Sequence, residues 1–582
     1  MYNEYEIRTV PISLNHCRRD VSEFLHSNGL RLDDVDYYAC IYQLGDDTIV
    51  AGGGLKRNTI KCIAVDNHYR DQGFMARLVS HLISQANQQG YNSTRVFTKP
   101  ENRQVFESMG FTLIAQAPEA ILLENPHELR TYCQYLSRQR RMGKSGIIVM
   151  NANPFTKGHR YLIEKAASMV EWLHVIIVYD HADKHIFTYE ERKDMVEEGT
   201  KDLSNVFVIE GSEYQVSQTT FPTYFLKETS SATDTQITLD LDIFTHFIAP
   251  HLGATTRFVG TETNDNVTSR YNHLMKQFLD KRGYEVVEIP RLTTTADNHQ
   301  ELPISASTVR SFIKEKKLNK AFRLAHKVSW KYIMAALASK ALKEELNTSP
   351  KPGLVDILDN GAHQDMDYQL MSHSIDTLRP FFARLCIEGE PQIEEIIDIG
   401  KQAEAAMMKV TNGVNTHRGA FFSLGITTVA AYNILATNTP LTTNNLSNKI
   451  SQLARKIPPA TNTHGATVRK TFNIKGAHQN AIDGYDTLFN EWLPFYRTLN
   501  DDTYRNHKTL LKIMSTLDDS NIYHRKGAHE AAMVRHEAQT LLDNFSTEGM
   551  DRLNQQYIVR NISPGGSADM LALTIFIDSL CE

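Results

Sequence analysis

Between an apolar run and a helical pattern, the stretch VMNANPFTKGHRYLIEKAASM carries Thr156, Lys157, Gly158 and His159 in four consecutive positions. A hydroxyl, an ammonium and an imidazole at the first turn of a helix suit phosphate, because the free N–H groups there attract anions. The imidazole can donate to a phosphate oxygen as negative charge builds on it. Pro154 and Gly158 shape the turn, and Asn153 adds a further polar group. A second helix start, ISASTVRSFIKE, offers Ser305, Ser307, Thr308 and Arg310. Hydroxyls there either cap the helix or bind phosphate, and an arginine can hold two phosphate oxygens at once. Each start alone also reads as an ordinary helix entry. Two in one α/β stretch point to a nucleotide.

A second concentration of polar residues lies further along, in five loops: PKPGLVD (350–356), GAHQDMD (361–367), GVNTHRGA (413–420), DDSNIYHR (518–525) and NISPGGSADM (561–570). Asp365 and Asp367, with Asp518 and Asp519, could bind Mg²⁺ and through it a polyphosphate. Lys351, Arg418 and Arg525 are cationic grips, with Asn415 beside Arg418. Ser563, Gly565, Gly566 and Ser567 give flexible backbone for close approach. His363 and His417 are the acid/base candidates. Any one loop could simply cap helices. As a set they suggest a Mg²⁺-dependent enzyme acting on a nucleotide.

The elements that must position these residues fall into three stretches. Residues 1–125 mix strands and helices: YYACIYQLGDDTIVAGGGL reads as a hairpin turning at Gly45-Asp46-Asp47, and IKCIAV as a further strand. A helical stripe follows, on Met75, Leu78, Val79 and Leu82. Residues 126–145, ending RQRRMGKS, are polar and basic and read as a linker. From 146 to 327 strands (GIIVM, LHVIIV, NVFVIEG, RFVG, YEVVEIP) alternate with helical patterns, which predicts a doubly wound parallel sheet. From 330 to 582 strand signals nearly vanish, which predicts an all-α domain.

Composition bounds the class. A chain of 582 residues implies three or four domains. With 41% hydrophobic and 22% charged residues it reads as globular, and a net charge of −6 argues against coating nucleic acid or an anionic membrane. No apolar run approaches the about 20 residues that span a bilayer. The N-terminus MYNEYEIRTV lacks the order of a secretion signal. Six singly spaced cysteines, at 17, 40, 62, 133, 386 and 581, suit free thiols in a cytoplasm.

With these residues in view, three resemblances emerge. TKGH with ISASTVR resembles the His-x-Gly-His and Ile-Ser-Ser-Thr-x-x-Arg signatures of the nucleotidylyltransferase superfamily, Thr156 replacing the first histidine. The wider run MNANPFTKGHRYLIEKA, with RFVGTE and SRYN, resembles the citrate lyase ligases over about residues 1–325. Those ligases carry a GNAT-like N-terminal domain, and YRDQGFM resembles the coenzyme A loop of GNAT acetyltransferases. That resemblance implies Arg70, Gln72 and Gly73 as coenzyme A contacts, although Met75 stands where glycine or alanine is preferred. NRQVFESMGF resembles the closing segment of the same fold. The five loops together resemble the triphosphoribosyl-dephospho-CoA synthases over 330–582, with GAHQNAIDGY (His478, Gln479, Asn480) where that family shows Gly-Ala-Arg-Gly-Glu-Ala.

The resemblances imply a bifunctional enzyme that matures citrate lyase. In one half, acetate would attack the α-phosphate of ATP, and the prosthetic thiol of the lyase's acyl carrier subunit would then take the acetyl group. His159 and Thr156 would serve the α-phosphate, Arg310 and Ser307 the β/γ end, and Lys157 the departing pyrophosphate. In the other half, the 2′-hydroxyl of dephospho-CoA would displace adenine from ATP; Mg²⁺ is expected as the companion ion of ATP in both halves. Alternatives are a pantetheine or nicotinamide nucleotide adenylyltransferase joined to a helical carrier-binding scaffold or a metal phosphohydrolase.

Overall fold

The computed structural model describes residues 4–581 apart from 46, 180–185, 216–224, 226–228, 262–265, 296–300, 460–467, 469 and 501. The hairpin residue Asp46 and Glu262 of RFVGTE lie outside the described residues. By compactness the chain divides into two units. The first comprises Met1–Ala152 with Gly158–Pro303; the second comprises Asn153–Lys157 with Ile304–Glu582.

The first unit holds two sheets. One has seven strands: β1 (Tyr5–Thr9), β2 (Tyr37–Gln43), β3 (Thr48–Lys56), β4 (Thr59–Val65), β5 (Thr94–Thr98), β6 (Thr112–Gln116) and β7 (Ile121–Asn125), in the order β1-β2-β3-β4-β5-β7-β6. All neighbours are antiparallel except β4 and β5, which pair in parallel at Thr59–Arg95 and Ile60–Val96. The expected hairpin is β2–β3. Its run Gly52–Gly54 lets Tyr38 lie close, since a Cβ on Gly52 would stand 2.8 Å from the phenol oxygen. The helix Phe74–Gln88 buries Leu78, Val79 and Leu82 as its stripe predicts, and Met75 packs half-buried beside them.

The other sheet is wholly parallel: β8 (Ser145–Met150), β9 (Trp172–Ile177), β10 (Val206–Glu210), β11 (Ala254–Gly260) and β12 (Glu285–Ile289), ordered β10-β9-β8-β11-β12. All five strand segments read from the sequence are present. The order reverses between β8 and β11, and ligands of such sheets bind beyond the carboxyl ends at that reversal. Residues 126–145 contain the helix Leu129–Gln139, which buries Leu129, Cys133 and Leu136. One hydrophobic cluster runs from Val10 and Leu25 through those three residues to Ile147, Ile176 and Met275. The stretch expected as a linker is therefore part of the core.

A buried carboxylate reinforces that core. Glu124 on β7 is fully buried and accepts from Arg95 Nε at 3.2 Å, Tyr214 Oη at 2.5 Å and the Leu129 backbone N–H at 3.1 Å. Arg95 also reaches Glu213 at 3.1 Å and lies 4.3 Å from the Tyr214 ring centre.

The second unit is helical apart from isolated pairing. Lys327–Leu346, Arg418–Ala436 and Gly565–Leu580 are its central helices, packed against one another and buried along most of their length. Contrary to the expectation of no apolar run of membrane-spanning length, Arg418–Ala436 is long and apolar enough to cross a membrane, but 83% of its apolar window is buried inside the protein. All six cysteines are free.

Removing Glu124 would leave Arg95 to its pair with Glu213 and take the acceptor from the buried Tyr214 hydroxyl and the Leu129 N–H, which costs about 3 kcal/mol. Glu124→Leu should lower the urea midpoint of the first unit accordingly, as followed by tryptophan fluorescence.

Candidate functional sites

The loop Asn153–Lys157 is held by the second unit's own residues. Phe155 is fully buried, and its carbonyl oxygen accepts from Ser329 Oγ at 2.7 Å and from the His326 backbone N–H at 3.1 Å. Thr156 is buried and bridges to Ala325. Arg310 Nη1 donates to the Asn153 carbonyl at 2.5 Å. Burial pushes the Arg310 guanidinium below its ordinary pKa, which favours an anionic partner. Ser305 caps the helix Ala306–Lys314 by accepting from the Thr308 N–H at 3.1 Å. The Ser305 hydroxyl also lies 2.8 Å from those of Ser307 and Thr308. Asn153, Thr156, Lys157, Ser305, Ser307, Thr308 and Arg310 thus belong to one unit, Lys157 being exposed. Gly158 and His159 belong to the first unit, half-exposed at the start of the helix Lys157–Ala167. Ala152, just before the loop, holds a left-handed φ of 49°, a strained value for a residue with a Cβ.

In the first unit, Arg70, Gln72 and Gly73 are exposed. Gly73 takes φ 78° at the start of Phe74–Gln88, where no side chain caps the helix. Met75, packed against the core, does not point away from it.

In the second unit all five polar loops interlock. The Ala362 N–H donates to the Gly353 carbonyl at 3.1 Å. His363 Nε2 lies 2.8 Å from Ser563 Oγ. Arg525 reaches the Ala362 carbonyl at 3.4 Å and Asn561 at 3.3 Å. Asp519 accepts from the Ser567 N–H at 2.7 Å and its hydroxyl at 3.0 Å. A Cβ on Gly419 would meet Asp569 Oδ2 at 2.1 Å, and one on Gly566 would meet Asp519 at 2.9 Å, so both glycines permit close packing on a carboxylate. One on Gly565 would meet Asn521 at 2.8 Å.

Beneath the loops lies a buried charged cluster. Lys351, 1% exposed, donates from Nζ to Glu345 Oε1 at 2.5 Å and from its backbone N–H to Asp356 at 2.8 Å. Burial raises the pKa values of Glu345 and Asp519. Asp569 is raised well above the carboxylate range by burial, then by the charges of Asp519 and Glu345. Burial depresses His417 to about 3, with Lys351 adding to the effect. His417 Nδ1 contacts Ser374 Oγ at 3.0 Å, while Nε2 finds no partner among the described residues. His363 is lowered by burial and then by Arg525.

The remaining candidates are occupied by local structure. Asn415 accepts from the Arg418 N–H at 3.1 Å, and Arg418 pairs with Glu404. Asp367 caps Tyr368–Arg384 by accepting from Leu370, Asp518 accepts from Arg535 at 2.6 Å, and Asp365 is exposed 3.8 Å from His363. Asp519 caps the helix Ser520–Asp543 through the Asn521 N–H at 3.0 Å. Among the described residues no group of three or more His, Cys, Asp or Glu converges as a metal site. His478 holds the carbonyls of Ala454 and Ile457 at 3.2 and 2.9 Å, and Asp483 pairs with Lys475 at 2.7 Å. Sequence reading missed Glu345, Asp356 and Asp569, although Asp356 closes PKPGLVD and Asp569 lies in NISPGGSADM.

Comparison with known proteins gives both halves a family. Residues 145–333 match the citrate lyase ligase C-terminal domain, 332–582 match ATP:dephospho-CoA triphosphoribosyl transferase, and 23–120 match an acetyltransferase (GNAT) domain. The [citrate [pro-3S]-lyase] ligase of Escherichia coli is 38% identical over 334 residues, covering 56% of this chain and 92% of that protein. Its Haemophilus influenzae counterpart is 42% identical over 305 residues, covering 51% and 89%. A probable 2-(5''-triphosphoribosyl)-3'-dephosphocoenzyme-A synthase 1 of Salmonella typhimurium is 34% identical over 267 residues, covering 41% and 88%. With two enzyme families side by side in one polypeptide, the chain belongs to the citrate lyase ligases through its first part and to the triphosphoribosyl-dephospho-CoA synthases through its second.

Proposed function

We propose that the chain prepares citrate lyase by two ATP-consuming reactions. The interlocking of five polar loops over a buried charged cluster is the observation that carries the second of them. In the ligase reaction, acetate oxygen attacks the α-phosphorus of ATP and pyrophosphate leaves. The carrier thiol then attacks the acetyl carbon and AMP leaves. His159 and Thr156 donate to the crowded α-phosphate, Arg310 and Ser307 hold the β/γ end, and Lys157 neutralises the leaving pyrophosphate. The Arg310 bond to the Asn153 carbonyl supports this role, since it fixes the guanidinium beside the loop.

In the synthase reaction, the C1–N bond of ATP breaks, the 2′-hydroxyl oxygen of dephospho-CoA forms a bond to C1, and adenine departs with a proton. An oxocarbenium-like centre gains from a nearby carboxylate, a role that suits Asp519, while Asp569, kept protonated by burial and by the charges of Asp519 and Glu345, suits donation of the proton that leaves with adenine. His417 and His363, both kept neutral, suit acceptance of the hydroxyl proton better than its donation to adenine. Mg²⁺ would enter as counter-ion of the polyphosphate, part of the substrate, since no acidic cluster converges among the described residues.

Mass spectrometry tests both reactions. The full chain with ATP and dephospho-CoA should yield free adenine; with ATP, acetate and holo-carrier it should yield AMP and acetyl-carrier. His159→Ala should slow acetylation about 100-fold or more and leave adenine release within about twofold. Lys351→Met should do the reverse, because Glu345 loses its buried partner. Transfer of AMP to a phosphate without acetate would instead favour an adenylyltransferase.

The neutral state of His417 also has a stability consequence. Its folded value, about 3, lies below the unfolded value near 6.5, so the unfolded chain binds more protons as pH falls between them. This group therefore withdraws stability below about pH 6.5, reaching about 2–3 kcal/mol by pH 4.5. His417→Gln should flatten the fall of the urea midpoint between pH 7 and 4.5. An unchanged slope would show that His417 is not the group responsible.

A further inference from the structure

The sequence Tyr523-His524-Arg525-Lys526-Gly527 interrupts the helix Ser520–Asp543, because Gly527 takes φ 82° and ψ −176°. At this kink a cleft of about 480 Å³ opens, lined by Phe472, Tyr523, His524, Arg525, Lys526 and Gly527. That volume lies within the range of small-ligand pockets. No carboxylate lines it among the described residues, in a chain whose net charge is −6.

Two kinds of group meet there. Phe472 is 37% exposed, unusual for so large an apolar ring, and its centre lies 5.3 Å from that of Tyr523. The Tyr523 ring is fixed by its hydroxyl, which donates to Asp518 at 3.0 Å. Arg525 and Lys526 line the same cleft as the rings. Arg525 extends from the cleft to the interlocked loops, contacting Asn561 at 3.3 Å and His363 Nδ1 at 3.5 Å. Five N–H donors on that guanidinium leave capacity for phosphate oxygens beyond these long contacts. The exposed face of Phe472, backed by the buried Tyr523 ring tilted 55° to it, fits with its adjacent cations a ligand that is planar at one end and anionic at the other.

We infer that this cleft is a nucleotide subsite of the transfer reaction, seating a purine against Phe472 and phosphate oxygens on Arg525 and Lys526. The inference rests on the synthase reading of the second unit. ATP and dephospho-CoA share this chemistry, and the test separates them.

The full chain is titrated calorimetrically with ATP, dephospho-CoA and inorganic tripolyphosphate, and the KM for each nucleotide is measured in adenine release. Lys526→Glu should weaken one of the two nucleotides about tenfold or more, and that nucleotide is the occupant. Phe472→Ala should weaken the same nucleotide about tenfold, with Phe472→Trp restoring it. If tripolyphosphate competes for the cleft, its binding should fall with Lys526→Glu and stay unchanged with Phe472→Ala. ATP held by the ligase half is the internal reference for folding. Unchanged affinity for both nucleotides in both variants overturns the subsite. A wild-type chain that releases no adenine overturns the transfer reading instead, while the titrations still decide the cleft.

Discussion

Burying an ammonium without a partner costs several kcal/mol, and Lys351 is almost wholly buried. Its contact with Glu345 is the condition under which the first polar loop can sit inside the helical unit at all. That contact ties the end of Lys327–Leu346 to residues 350–356, and the Gly353 carbonyl then receives the next loop. From there His363 meets Ser563, and Asp519 meets Ser567. Asp519 and Glu345 both act on the buried Asp569, and burial with their like charge raises it well above its ordinary value. Such frustration is usually retained where a charged or charge-developing ligand relieves it.

Much of the fold was legible because its signals are local. Apolar runs of five or six residues separated by helical stripes give the parallel sheet, and hydrogen bonding fixes little that periodicity does not already suggest. The helix Leu129–Gln139 was missed because its buried face is only three residues wide, Leu129, Cys133 and Leu136, amid basic neighbours. The five loops stood out by composition, yet composition cannot say which polar side chains are spent on architecture. Asp367 and Asp518 look like ion ligands in a string of letters; one caps a helix and the other pairs with Arg535. Glu345 escaped notice for the opposite reason, since it lies in an ordinary helical run, KEEL, whose partner comes six residues later.

The loop Asn153–Lys157 illustrates the same limit. Its motif is readable, but its support is not, because Ser329 and His326 are remote in sequence and unremarkable in type. Only the three-dimensional pairing identifies the Phe155 carbonyl as an anchor point. Likewise Ser305 could be read equally as cap or phosphate ligand; in the folded chain its hydroxyl already serves Thr308, while Ser307, bonded to Ser305, is the more exposed of the pair.

The helix Lys327–Leu346 begins next to Ser329, which holds Phe155, and finishes at Glu345, which holds Lys351. The two family matches abut at residues 332–333, in the interior of this rod. The join therefore has no tether and no spare length. A gene split at that seam would sever a continuous run of backbone hydrogen bonds, so separating the two catalysts would demand rebuilding a helix terminus on each fragment.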